Sequence, residues 1–159
     1  MVPIRAWSRM GLLTLTDGDV IDYEAIEKSV LADCKHLDMQ RISYDRMFAG
    51  QMTQNIARET DVEVVPVAQT FLGLSSACKE LERLVNAGAI RHGGHPILRW
   101  MADVVEVKND GLDNIRPVKP DRKKSMARID GIQAAVTGLD GWVRRVQEQE
   151  TDTRITSWR

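Results

Sequence analysis

Residues 40–67 read QRISYDRMFAGQMTQNIARETDVEVVPV, and this stretch decides the fold. Gln40 to Asp45 predicts a short strand with Ile42 and Tyr44 pointing one way. Phe48, Met52 and Ile56 then recur at helical spacing. Val62 to Val67 predicts a second strand, which Pro66 ends or places near an edge. Alternating strand and helix implies a layered α/β fold.

The same reading extends both ways. Towards the N-terminus, Asp17-Gly18-Asp19 predicts the turn of a small hairpin between Leu12–Thr16 and Val20–Ile21. Asp22 should cap a helix whose apolar stripe is Tyr23, Ile26, Val30, Cys34 and Leu37. Towards the C-terminus, Ser75 or Ser76 should cap a helix carrying Cys78, Leu81, Leu84 and Val85, stopped by Gly88. Pro96 suits the first position of a short helix with Ile97, Trp100 and Met101 on its apolar side. Asp103 to Lys108 predicts a strand closed by Asn109-Asp110-Gly111, and a polar loop should follow to about Lys124. Ser125 should cap a last helix with Ile129, Ile132, Val136 and Leu139 as its stripe. Residues 1–146 are expected to form one domain, and 147–159 a polar, flexible tail.

Composition excludes several classes. The 159 residues carry a net charge of -1, so overall charge points to no nucleic acid. Aromatic residues make up 5%, too few for a base-stacking surface of the single-strand-binding kind. Cys34 and Cys78 read as small core residues of a reducing compartment rather than a disulfide framework. No apolar run is long enough to span a membrane, and Met1 to Arg5 begins no signal peptide. No glycine-rich phosphate loop is present. His36, His92 and His95 do not stand at zinc spacing with Cys or acids, and no Ser/His/Asp arrangement has the context of a nucleophile.

Two acids and one basic segment could carry chemistry. Asp45 ends a predicted buried strand, where open α/β sheets place ligand sites, and its carboxylate could bind Mg²⁺ or Mn²⁺. From position alone, a turn aspartate that starts the next helix is the commoner reading. Asp130 sits beside the stripe residue Ile129, with Ala127, Gly131 and Ala134 near it. Small neighbours let a helix approach a sheet closely, so Asp130 is either functional or a plain boundary residue. Arg116, Lys119, Arg122, Lys123, Lys124 and Arg128 face a single acid, Asp121, in the one strongly basic segment. Such a run is either a phosphate-contacting surface or a solvated loop.

In order and spacing these stretches resemble the large subunits of tailed-phage terminases, from about Trp7 to Leu139. Trp7, Gly11 and Leu15–Tyr23 are similar to that family's W…G…T-x-G-x-x-I-D segment. Ile42-Ser43-Tyr44-Asp45 resembles its second acidic strand. Gln69, LSSACKELERLV (Leu74 to Val85) and RHGGHPILRWMAD (Arg91 to Asp103) are similar to the stretch that follows. KPDRKKSMARIDGI (Lys119 to Ile132) resembles its third acidic motif. The departures are Arg46-Met47 where the family often has Pro-Trp, and Val104 where many members have Asn.

The resemblance implies a partial ribonuclease H-like fold, a mixed sheet flanked by helices with its first strands missing. It also implies a two-metal endonuclease acting on double-stranded DNA, with Asp45 and Asp130 as catalytic metal ligands and Mg²⁺ or Mn²⁺ as cofactor. The basic segment would contact DNA. Portal and small terminase subunit would be partners, and the host bacterial cytoplasm the location. The family's first acid and its ATPase motor lie upstream of the Trp7 region, so the chain is expected to be a very poor nuclease alone. The other reading is a non-catalytic remnant or split-gene piece that keeps only DNA or partner binding.

Overall fold

In a computed structural model, residues 2–47, 50–120 and 127–156 are described, with side chains as far as Glu148. Phe48, Arg122, Lys123, Lys124 and Ser125 lie outside the described residues.

The strand–helix–strand stretch forms as its periodicity dictates: β1 (Arg41–Asp45), α3 (Gly50–Glu59) and β2 (Glu63–Val67). The strands pair in parallel, with Arg41 opposite Glu63 and Asp45 opposite Val67. Parallel neighbours need a crossover, and α3 supplies it. Ile56 buries the apolar side of α3, and Thr60 closes the helix by donating from Oγ1 to the Ile56 carbonyl at 2.8 Å.

The next helix, α4 (Phe71–Asn86), starts one turn earlier than expected. Thr70 is its cap and accepts from Gly73 N at 3.0 Å. Ser75 is buried inside the helix, where its hydroxyl accepts from Ile115 N at 3.2 Å. Sequence spacing favoured the serines because their link to a distant strand is not visible locally. Gly88 follows the helix with a φ of 64°, the left-handed geometry that glycine tolerates.

Pro96 opens α5 (Pro96–Val104) at the expected place. The helix takes in Asp103 and Val104, so the strand after it is shorter than predicted, β3 (Glu106–Asn109). A second departure follows: β4 (Ile115–Val118) lies inside the expected loop and pairs antiparallel with β3. Pro117 conceals this strand in the sequence, yet on a two-stranded ribbon its missing N–H can face away from the partner. Between the strands, Asp110 Oδ1 accepts from Leu112 N at 2.9 Å and from Asn114 N at 3.2 Å.

At the N-terminus, α1 (Ile4–Arg9) was not foreseen, and among the described residues Leu12 to Ile21 form no hairpin. Instead Trp7 packs on Trp100 of α5, ring centroids 5.5 Å apart. Asp22 caps α2 (Tyr23–His36) as expected and accepts from Ala25 N at 2.9 Å. Its apolar stripe stays largely uncovered, however, with Tyr23, Ile26 and Leu37 all exposed.

The longest helix is α6 (Asp130–Thr156). Ala127 to Ile129 precede it outside any helix or strand, so Asp130 opens the helix rather than standing inside it, and the cap expected at Ser125 lies outside the described residues. The helix continues past Gln147, where a polar tail was expected to begin. Val136 of α6 meets Val67, Leu74, Ala77 and Cys78, with Leu81, Ile115 and Leu139 packed around them. This one cluster joins the parallel sheet, α4, α6 and β4, which is what a layered α/β arrangement requires.

Candidate metal and nucleic-acid site

The approach of α6 to β1 sets the site. Gly141 has no side chain, and a Cβ there would collide with Ser43 Oγ on β1. Arg41 donates from Nη1 to the Gly141 carbonyl at 2.9 Å and from Nη2 to Glu148 at 2.9 Å, while Nε binds Glu63 at 2.8 Å. Burial disfavours the charge on Arg41, but the bonds to Glu148 and Glu63 outweigh that and raise its pKa above the ordinary value. The start of β1 therefore lies beside the distal half of α6, and the two elements run in opposite directions. The carboxyl end of β1 must then face the amino end of α6.

Asp45 and Asp130 occupy those two ends, and both are exposed. Asp130 and Glu148 are about five helical turns apart at 3.6 residues per turn, which puts them on one stripe of α6. From the Ser43–Gly141 contact, rises of about 1.5 Å per helical residue and 3.3 Å per strand residue carry Asp130 roughly 10 Å beyond Asp45 along the shared direction. The two carboxylates thus share an end of the layer without touching.

Each acid is partly engaged. Asp45 Oδ1 accepts from Met47 N at 3.1 Å, which makes it a turn residue as well as a strand end. Asp130 Oδ1 lies 3.7 Å from Lys119 Nζ, and its charge sits at the helix amino end, where the helix dipole favours an anion. The second oxygen of each is free of such bonds among the described residues, so both fit as hard oxygen donors for a divalent ion. No group of three His, Cys, Asp or Glu side chains placed to hold a metal occurs among the described residues. The buried acid Asp140 is committed elsewhere, accepting from Arg144 Nε at 2.7 Å.

Basic residues near Asp130 divide into two kinds. Lys119 and Arg128 flank it with their side chains open to solvent. Arg116 turns inward: it donates from Nη1 to the Gln69 carbonyl at 3.0 Å and lies 4.5 Å over the Phe71 ring. Arg122, Lys123 and Lys124 fall outside the described residues. Beside Asp130, a mostly apolar cavity of about 270 Å³ is lined by Trp7, Ile97, Trp100, Met101 and Arg128, among others. Sequence reasoning missed Gln133, whose Nε2 donates to Gln69 Oε1 at 2.5 Å. Its only local signal was its place one turn beyond Asp130.

Known proteins share this fold. Residues 2–147 match the family model for the terminase large subunit endonuclease domain, and the chain belongs to that family. Over 151 residues it is 30% identical to the terminase large subunit of Enterobacteria phage HK97, covering 94% of this chain and 29% of that protein. It is also 29% identical to protein YmfN of Escherichia coli (strain K12) over 153 residues, 96% of this chain and 33% of the relative. The crystal structure of the HK97 large terminase superposes with a TM-score of 0.77 at 28% identity, over 87% of this chain and 29% of that one. The α/β, ribonuclease H-like class expected from the sequence is the one this superposition shows. The chain spans about a third of the length of the curated relatives it matches. No helix among the described residues is long and apolar enough to cross a membrane.

Proposed function

We propose that this chain is an endonuclease module that cuts double-stranded DNA during viral genome packaging, with Asp45 and Asp130 as ligands of Mg²⁺ or Mn²⁺. The observation that supports the reading is that β1 ends on an acid and α6, which packs against it, begins on one, in a chain of the terminase endonuclease family. Ions of this kind, when bound, activate water and stabilise a leaving oxygen. Two ions about 4 Å apart, each about 2.1 Å from a carboxylate oxygen, span roughly 8 Å between carboxylates.

The protein's own part is binding and orientation. Met47 N holds one oxygen of Asp45, and α6 sets Asp130 at its amino end. Lys119 and Arg128, with Arg122, Lys123 and Lys124 of the same segment, supply positive charge for DNA phosphates. Arg116 serves the scaffold that holds this segment.

The test is incubation with supercoiled plasmid and Mn²⁺, beside Asp45→Asn and Asp130→Asn. Two acids are few for a two-ion site, so slow nicking at most is expected, lost in either variant while DNA binding persists. Binding without any cleavage would favour the binding-only reading. Robust cleavage untouched by both substitutions would overturn the assignment of these acids.

A further inference from the structure

We infer that Gln69 is a positioning residue: it ties the carboxyl end of β2 to the first turn of α6 and to β4, and so fixes where Asp130 stands relative to Asp45. This rests on the metal role proposed for the two acids.

Three hydrogen bonds meet at this one residue. Gln69 Oε1 accepts from Gln133 Nε2 at 2.5 Å, its Nε2 donates to the Val67 carbonyl at 3.2 Å, and its own carbonyl accepts from Arg116 Nη1 at 3.0 Å. Val67 is the register partner of Asp45, and Gln133 lies one turn beyond Asp130. A continuous path therefore runs from Asp45 across the strand pair to Val67, through Gln69, over to Gln133 and back to Asp130. The surroundings keep this junction stiff. A Cβ on Gly73 would collide with the Ala68 carbonyl, so the chain from Ala68 to Gly73 is folded tightly. Arg116 is pinned over Phe71 even though its Nε is buried without a hydrogen-bond partner among the described residues. The side chains of Gln69 and Gln133 are half-buried, so removing one amide leaves the other short of a partner.

Residues that orient a metal ligand typically change metal affinity by about 10–100-fold when lost. The experiment measures Mn²⁺ binding by calorimetry on the full chain, with thermal unfolding recorded alongside. The variants are Gln69→Met, Gln133→Met and the pair together, all uncharged and of similar size. The expected result is a rise in Mn²⁺ Kd of about tenfold in each single variant, with the double variant no weaker than the singles. A role in packing alone would lower the unfolding temperature and leave the Kd of the folded protein unchanged, and that result overturns the inference. Should Gln69→Met fail to fold, Gln133→Met reads the same bond from its other side. Asp130→Asn separates the two levels of the argument. Wild-type Mn²⁺ binding that does not depend on Asp130 overturns the metal site itself. Asp130-dependent binding that ignores both glutamines overturns only the positioning role.

Discussion

Replacing Gly141 with alanine tests the contact that sets α6 against β1. The new Cβ would stand well inside contact with Ser43 Oγ, 3.3 Å from Arg41 Cδ and 3.4 Å from Ser43 Cβ. Overpacking of this kind costs about 1–3 kcal/mol, while alanine in place of glycine inside a helix recovers about 1 kcal/mol. Movement of Arg41 would also strain its 2.9 Å bond to the Gly141 carbonyl. The net expectation is a loss of about 1 kcal/mol. In urea this moves the unfolding midpoint down by roughly 0.5 M at a slope near 2 kcal/mol/M. Two controls isolate the cause. Gly138→Ala on the same helix meets nothing within 4 Å and should gain up to about 1 kcal/mol. Ser43→Ala combined with Gly141→Ala removes the colliding oxygen and should restore stability. A Gly141→Ala protein as stable as Gly138→Ala would refute the close approach of α6 to β1.

Two further outcomes follow from the same structure. Burial pushes the Cys78 thiol up to about 11, so between about pH 8.5 and 11 the unfolded chain ionises and the folded one does not. Stability from this group is therefore full below pH 8.5 and falls as pH rises towards 11; a Cys78→Ala protein should lack that part of the slope, and an unchanged slope would count against the burial of Cys78. For the basic segment, neutralising Lys123 and Lys124 should weaken binding to all DNA sequences alike and flatten its salt dependence, as measured by titration at several salt concentrations. Unchanged affinity and slope would return these residues to a solvated loop.

How far the sequence spoke depended on the range of the interaction. The β1–α3–β2 unit was legible because its strand and helix periods are local, and Asp22 and Pro96 were legible because caps act within one turn. Thr70 was hidden as a cap by two serines, one of which serves a strand forty residues away. The short strand β4 was hidden by Pro117, and among the described residues no neighbouring strand holds the hairpin expected before Asp22. Asp45 and Asp130 could each be picked out, but their common end depends on Gly141 meeting Ser43, a contact no local pattern encodes. The inward turn of Arg116 onto Phe71 was equally out of reach, since charge in a basic run gives no direction.

The central claim is that one divalent-ion site lies between Asp45 and Asp130, and paramagnetic broadening by Mn²⁺ tests it most directly. Trace Mn²⁺ added to isotope-labelled protein broadens amide signals steeply with proximity. Selective loss of signals from both Asp45–Met47 and Asp130–Gln133 is expected, with both sets recovering in Asp130→Asn. Broadening confined to one of the two segments, or centred elsewhere on the chain, would contradict it.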